Sequence, residues 1–378
     1  MRRIVLCCLI SLLSSCVLLV ALPRPVHADG GAPNLAYVAG GGPGVSIIDI
    51  RQKKVTGTFT LGGGPHSVYL SLDGRFLYVT QPALNQVSVL AAKDGQQVCT
   101  AHVPGNPSLQ AYDLQTNSLF VAGNQAASIS NIDMSNCAVL HSFQTNAVVY
   151  GVAVVNLASN TAHNQLWVSN VSGVTVFDIK TRQVLANIPL PGSPRYLCVP
   201  SGLWVYATTQ QGSLFAIGLS SHQILPLLSG GQFGTMDFDE MTGEVYVPDS
   251  LHKQLDVITP DSMATTAPHE PAHVYALSAA PESVAITSDG QLGFVALGTG
   301  EVAMLDIPGR QVIQTINVGG SPQFIITGLY PPALGSTPQQ ASIVDTIATI
   351  AAYILVAACV LVPVWFVVRQ NRRQKAEA

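Results

Sequence analysis

The residue types best suited to chemistry recur at one position, just inside a turn that opens a strand-like run. Four of these turns end in Pro, at Gly64-Pro65, Asn106-Pro107, Ser193-Pro194 and Ser321-Pro322. The residues at this position are His66, Ser108, Tyr150, Arg195, Phe233, Glu282 and Gln323. A base, a cation, an acid, an amide and aromatic rings can together orient a polar ligand. We therefore predict a ligand-binding site formed by His66, Tyr150, Arg195, Glu282 and Gln323. The alternative is that these side chains only contact water.

No other pattern in the sequence predicts catalysis, a metal or a cofactor. His269 and His273 lie four residues apart around Glu270, but a metal would need both on one helix face, and Pro271 opposes a helix. The sequence contains no Cys-x-x-Cys pair, no Gly-x-Ser-x-Gly elbow and no phosphate-binding loop. We accordingly assign no catalytic residue, no metal ligand and no cofactor.

The candidate residues belong to a repeat with a period of about 40 residues. Its markers are aromatic residues in β-branched runs: Tyr37, Tyr78, Phe120, Trp167, Tyr206, Tyr246 and Phe294. The clearest unit runs from Pro65 to Gly105 and contains four strand-like segments, the first two joined by an Asp73-Gly74 hairpin turn. Four short strands in such a period are typical of a propeller blade. We predict an all-β, seven-bladed β-propeller over residues 29–328.

Several segments carry a recognisable repeat motif. They are Phe76–Thr80, Val45–Asp49, Val318–Pro322 and Ser71–Gly74. At these residues the chain resembles the YVTN-type β-propeller repeat family, over about residues 36–328. The resemblance implies a seven-bladed propeller related to lactonase-like and quinoprotein-like propellers. The resemblance is specific for the fold. Function would depend on the positions where the repeats differ from one another.

The repeat sequence does not begin and end at a blade boundary. The chain enters it at a second strand, near Ala36, and leaves it at a first strand, Pro322 to Thr327. We predict that Gln323–Thr327 pairs antiparallel with Ala36–Ala39, so that one blade is built from both ends of the chain. This closure would remove the exposed edges of an open array. The first strands of the blades would then line the central channel, with the candidate residues at its mouth.

The N-terminal residues 1–28 are predicted to be a signal peptide. Arg2-Arg3 precedes an apolar run from Ile4 to Leu22, and cleavage would follow Ala28. A retained N-terminal anchor is the alternative, because the run approaches the length of a membrane span. Lipidation at Cys16 is a further alternative.

The C-terminal region predicts a single membrane span. Residues 329–345 form a Pro-rich linker, 346–368 are almost wholly apolar, and 369–378 are a basic tail. The tail places Arg369, Arg372, Arg373 and Lys375 directly after the span. By the positive-inside rule the tail is cytoplasmic, so we expect a single-pass type I protein of the cell membrane with the propeller outside.

The charges and cysteines of the propeller region give two further expectations. The formal net charge of −4 combines a basic tail with an acidic propeller, whose only basic cluster is Arg51 to Lys54. We interpret that cluster as a solvated turn, which disfavours nucleic-acid binding. Cys99, Cys137 and Cys198 are expected to be buried thiols, with a Cys99–Cys137 bond as the alternative.

Two functions are consistent with these features. The first is a membrane-anchored, extracytoplasmic, non-catalytic module that binds a protein, glycan or envelope component through the propeller face. The alternative is an extracytoplasmic enzyme, lactonase-like or similar to a quinoprotein-dehydrogenase subunit. That chemistry would need His66, Arg195 and Glu282 to converge across the channel.

Overall fold

The computed structural model describes residues 34–113, 115–156, 164–200, 202–259 and 269–331. These residues fall within one compact unit, 30–332. Their regular structure is β-strand apart from one 3-10 helix, Pro82–Leu84. The predicted signal peptide and the predicted span at 346–368 lie outside the described residues. Among the residues that are described, no helix is long and apolar enough to cross a membrane.

The strands form seven four-stranded antiparallel sheets, which confirms the predicted seven-bladed propeller. Blade 1 consists of β28 (Phe324–Gly328), β1 (Leu35–Gly41), β2 (Gly44–Asp49) and β3 (Lys54–Thr60). Blade 2 consists of β4 (Val68–Leu70), β5 (Phe76–Gln81), β6 (Gln86–Ala91) and β7 (Gln97–His102). Blade 3 consists of β8 (Pro107–Asp113), β9 (Ser118–Gly123), β10 (Ser128–Asp133) and β11 (Val139–Gln144). Blade 4 consists of β12 (Val149–Val155), β13 (Gln165–Asn170), β14 (Gly173–Asp178) and β15 (Val184–Pro189).

The remaining blades follow the same order from the channel outward. Blade 5 consists of β16 (Pro194–Cys198), β17 (Trp204–Thr209), β18 (Ser213–Gly218) and β19 (Ile224–Ser229). Blade 6 consists of β20 (Asp237–Phe238), β21 (Val245–Asp249), β22 (Gln254–Ile258) and β23 (His273–Ala276). Blade 7 consists of β24 (Pro281–Ile286), β25 (Leu292–Leu297), β26 (Glu301–Asp306) and β27 (Gln311–Asn317). His273 therefore begins a strand, as the nearby Pro271 suggested, and is not helical.

Blade 1 confirms the predicted closure of the ring. β28 pairs antiparallel with β1, with Leu35 opposite Gly328 and Ala39 opposite Phe324. The two strands come from opposite ends of the propeller sequence. Their pairing satisfies edge groups that an open array would leave exposed.

The aromatic markers of the repeat form the core between blades. All seven lie in second strands and are at most 2% exposed. Each hydrophobic cluster spans neighbouring blades; one of them joins Tyr78 of blade 2 to Leu119 of blade 3. The repeat thus specifies packing between blades, because a single four-stranded sheet cannot bury both of its faces.

The strand order defines two faces of the ring. The first strand of each blade starts at what we call the upper face, which also holds the turns between second and third strands. The lower face holds the turns between first and second strands and between third and fourth strands. In blade 1 no lower turn joins the first strand to the second strand. The two ends of the propeller sequence lie there instead, since Leu35 is opposite Gly328.

A disulfide joins blades 2 and 3, which corrects the expectation of three buried thiols. Cys99 in β7 is bonded to Cys137, with their Cα atoms 6.3 Å apart. Cys137 lies in the turn before β11, where its φ of 63° is in the left-handed region. Blade packing brings this turn to the neighbouring outer strand, a proximity that the sequence separation of 38 residues does not reveal. Cys198 is a buried free thiol, as expected.

Candidate binding site at the channel mouth

Side-chain hydroxyls hold the upper ends of neighbouring first strands together. Ser169 Oγ accepts a hydrogen bond from Gly151 N at 2.7 Å and donates one to Arg195 O at 2.6 Å. A Cβ at Gly151 would lie 1.9 Å from Arg195 O, so only glycine permits this approach of blades 4 and 5. The contact fixes the backbone beside both Tyr150 and Arg195.

Arg195, Tyr150 and Tyr196 form a compact polar group at the channel mouth. The Arg195 guanidinium carbon lies 4.5 Å from the centre of the Tyr150 ring, in cation–π geometry. The Tyr150 and Tyr196 rings meet edge to face at 5.5 Å, and their hydroxyls are 3.3 Å apart. Among the described residues, no carboxylate lies within ion-pair distance of this guanidinium. The group therefore presents a cation whose side chain makes no hydrogen bond to the described residues.

Glu282 adds an acid from the first strand of blade 7. Its carbonyl accepts Thr235 N at 3.0 Å, which ties blade 7 to the inner segment of blade 6. Burial raises the pKa of Glu282 above its usual range. The carboxyl also acts electrostatically on Tyr196, whose pKa is raised mainly by burial. Arg195 and Glu282 thus both act electrostatically on Tyr196.

His66 and Gln323 are engaged elsewhere. His66 Nδ1 is 3.2 Å from Ser108 O, so this nitrogen carries the proton and the bond joins blades 2 and 3. Burial lowers the pKa of His66, which favours a neutral ring near pH 7. The Gln323 side chain turns back to its own loop and donates to Ser321 Oγ at 3.1 Å. No described contact links either residue to Arg195.

Two further residues of the predicted ring are buried. Ser108 is 1% exposed, and its hydroxyl donates to Ala122 O within blade 3. Phe233 is 6% exposed and packs in the core between blades 5 and 6. The prediction that all seven first strands present this position at the mouth is therefore wrong for these two. In blade 6 the inner strand is only two residues long, and Phe233 lies before it.

Sequence reasoning missed Tyr196 and Asp237. Tyr196 directly follows Arg195. It was missed because the prediction took only one residue from each first strand. Asp237 lies in β20, is partly buried, and accepts Ile286 N at 2.7 Å through Oδ2. Burial raises the pKa of Asp237 to about 7. The short, irregular inner strand gave no periodic signal that would have located this carboxyl.

The described ranges contain no cluster of side chains that could bind a metal: no three His, Cys, Asp or Glu residues come together there as ligands for an ion. The closest pairing of such groups on the upper face is His252 Nδ1 with the buried Asp249, at 2.6 Å. This bond closes a turn, since Asp249 also accepts the backbone N–H of Leu251.

The fold defines the chain as a seven-bladed β-propeller, and solved structures share this architecture. A putative 6-phosphogluconolactonase from Bacteroides uniformis has a TM-score of 0.62 at 13% identity, covering 78% of this chain and 99% of that one. A hydrazine synthase chain from Kuenenia stuttgartiensis has a TM-score of 0.58 at 16% identity, covering 76% and 99%. The dihydro-heme d1 dehydrogenase NirN has a TM-score of 0.57 at 16% identity, covering 81% and 78%.

Comparison at the level of sequence adds no narrower assignment. No protein-family profile matches the chain, and no curated protein matches it. At the identities given above, the structural similarity establishes the fold alone. Function must therefore be argued from this chain's own residues.

Proposed function

We propose that this protein is a non-catalytic binding module that recognises an anionic group of a cell-envelope component at the channel mouth. The propeller lies outside the cell, and residues 346–368 hold it in the membrane as a single type I span. The observation that carries the proposal is the Arg195 guanidinium, stacked on Tyr150 and without a carboxylate partner in the described part of the chain.

A guanidinium in this setting is suited to a carboxylate or a phosphate. Its planar fork of N–H donors matches either group in two-point contact. Stacking on Tyr150 restricts the side chain before a ligand arrives, which reduces the entropic cost of binding. The tyrosine hydroxyls beside it supply further hydrogen-bonding groups. A glycan or a protein that carries an exposed anionic group is therefore the partner we favour, and nucleic acid remains disfavoured.

The extracytoplasmic location has independent support in the disulfide. Bonds such as Cys99–Cys137 persist in oxidising compartments and are rare in the cytosol. The basic tail after the predicted span gives the same orientation. We also assign the repeats to the YVTN type, on the motifs that blades 1, 2 and 7 carry.

Capture from native envelopes tests this proposal. Residues 29–340 would be immobilised as wild type, as Arg195→Gln and as Lys253→Gln, and envelope material from the producing cells passed over each. Among the described residues, Lys253 is the other cation of the upper face and is exposed, so it controls for loss of charge alone. The proposal predicts a bound component that Arg195→Gln loses and Lys253→Gln retains. Equal retention by all three would refute it.

An enzyme is the second candidate because burial raises the pKa of Glu282, and acids with shifted pKa values often occur at catalytic sites. Burial also lowers the pKa of His66, but its ring is bonded to Ser108 O and has no described contact with Arg195. A lactone-hydrolysis screen with His66→Ala and Glu282→Ala variants tests it. Hydrolysis that either substitution abolishes would favour the enzyme, and activity that survives both would reject this site.

A further inference from the structure

The lower face differs in composition from the upper face. Of the large apolar side chains that are exposed in the described residues, four lie on the upper side: Leu84, Val148, Val171 and Leu251. The others lie on the lower side, at the loop tips or at the lower ends of the outer strands. The loop-tip residues are Leu72, Leu203, Met241, Leu329 and Tyr330. Three of them are the most exposed of all, at 68% for Leu72, 74% for Leu203 and 73% for Met241.

Basic side chains follow the same division. Within the described residues only Arg195 and Lys253 lie on the upper face, and the lower face holds the remaining eight. All eight are exposed: Arg51, Lys53, Lys54, Arg75, Lys93, Lys180, Arg182 and Arg310. Carboxylates outnumber the cations on this face, but most of them accept hydrogen bonds within turns. Asp133, for example, accepts the N–H of Ser135. Among the described acids of this face, only Asp94, Glu240 and Glu270 are exposed.

Both ends of the propeller leave from this face. Asn34 N donates to Gly328 O at 2.9 Å, and the Tyr330 hydroxyl bonds Asp49 at 2.5 Å beside the Arg51 to Lys54 turn. The residues that follow Tyr330 lead, after about 15 positions, to the predicted span. A segment of that length reaches roughly 50 Å at most, so it keeps this face near the bilayer without forcing contact.

We propose that the lower face of the propeller rests on the membrane surface, with Leu72, Leu203 and Met241 inserted among lipid headgroups. This inference rests on the anchor of the proposed function. Transfer of exposed leucine and methionine side chains from water to the apolar part of the membrane interface is favourable. Exposed Lys and Arg contact lipid phosphates at short range, as basic juxtamembrane segments do. The upper face, with Arg195 at its centre, is thereby turned away from the membrane.

We favour a bilayer over a soluble protein as the partner of this face because its exposed apolar residues are spread around the ring. Such a distribution fits a flat surface that contacts several blades at once. Leu72, Leu203 and Met241 come from blades 2, 5 and 6. Because the predicted anchor follows Tyr330 closely in sequence, the effective concentration of lipid near Tyr330 would be high.

Depth-dependent fluorescence quenching tests the docking. The full chain would be reconstituted in vesicles that contain anionic lipid and headgroup spin-labelled lipid. A fluorophore would be attached at Leu203→Cys, at Met241→Cys or at the matched upper-face position Leu251→Cys, which is 59% exposed. To prevent labelling elsewhere, the thiols of the terminal segments would be replaced by Ala: Cys7, Cys8, Cys16 and Cys359.

The expected result is quenching at positions 203 and 241 that is at least twofold stronger than at position 251. Replacing Arg51, Lys53 and Lys54 together by Gln should reduce that difference in anionic vesicles. Equal quenching at all three positions, in protein that stays with the vesicles through alkaline extraction, would overturn the docking and leave the anchor intact. Protein that is released by extraction would overturn the anchor and the docking together.

Discussion

At the scale of single residues, we expect the channel mouth to bind a ligand because its charged side chains have few partners of opposite charge. Arg195 is stacked on Tyr150, and Glu282 approaches the same region from blade 7. A buried ionised group is costly unless it is paired, and the raised pKa of Glu282 expresses that cost. Arg195 has no carboxylate partner among the described residues, and a ligand anion would supply one, which is why we place recognition at this residue.

Asp237 gives a pH-dependent stability that can be measured directly. Its pKa of about 7 in the folded protein exceeds its ordinary value of 3.8. Between these values the folded state binds more protons than the unfolded chain, so stability falls as pH rises from about 4 to 7. The difference corresponds to at most about 4 kcal/mol.

The variant Asp237→Asn keeps an oxygen acceptor for Ile286 N and removes the titration. Urea unfolding of wild type and variant at pH 4.5 and pH 7.5 should show a larger loss of stability in the wild type. Nearby Glu240 and Cys198 influence the same region electrostatically, so the comparison of slopes matters more than either absolute value. Identical pH slopes would show that burial does not shift this carboxyl.

At the scale of elements, hydroxyl bridges join first strands that do not pair with one another as a sheet. Thr80 Oγ1 accepts Ser67 N at 2.9 Å and donates to Ser108 O at 2.9 Å, with no exposure of the threonine. Thr80→Val preserves the shape and leaves both backbone groups without this partner. We expect a loss of about 1–3 kcal/mol in unfolding free energy. Thr60→Val on the exposed outer strand β3 should change it by less than about 0.5 kcal/mol.

The disulfide is the second link between neighbouring elements. Cys99 and Cys137 close a loop of 38 residues, for which chain-entropy reasoning gives about 4 kcal/mol of stabilisation. Replacing both by Ala should lower the unfolding free energy by about 2–5 kcal/mol. Cys198→Ala is the matched single-thiol control, and a reductant should destabilise wild type and this control but not the double variant. An unchanged stability of the double variant would refute the link.

At the scale of the whole molecule, closure by β28 is what makes the ring continuous. A chain that ends at Ser321 lacks this strand, whereas one that ends at Pro332 retains it. Loss of the buried Ile325 and of the pairing with β1 should cost several kcal/mol, a fall in Tm on the order of 10 °C or more. Thermal unfolding of both chains measures it. Equal Tm values would mean that blade 1 is stable with three strands.

Sequence periodicity predicted the propeller, its closure and the second-strand core because these depend on patterns that every blade repeats. The channel mouth was only partly predicted. The rule of one position in each first strand gave Tyr150, Arg195 and Glu282 as candidates, and their role stays a prediction. Contacts between neighbouring blades decide whether a side chain faces the channel. Those contacts buried Ser108 and turned His66 toward the backbone of blade 3. Asp237 and the disulfide depend on three-dimensional proximity alone, which no repeat encodes.

The orientation of the whole molecule links the two proposals. A propeller that rests on its lower face presents Arg195 outward, where envelope components are accessible. A propeller that stands clear of the membrane could still bind through the same site. The recognition by Arg195 is therefore the claim on which the functional account depends.

Affinity for defined anionic probes tests that claim most directly. Oligogalacturonate supplies carboxylates and polyglycerol phosphate supplies phosphates, with a neutral glucan as reference. We predict that wild type binds one of the anionic probes and that Arg195→Gln weakens this binding at least tenfold, since charge-assisted hydrogen bonds contribute about 1.5–3 kcal/mol. Lys253→Gln should change the Kd by less than about twofold, because exposed charges contribute little. Equal losses in both variants, or no preference of wild type for either anion over the neutral glucan, would contradict the account.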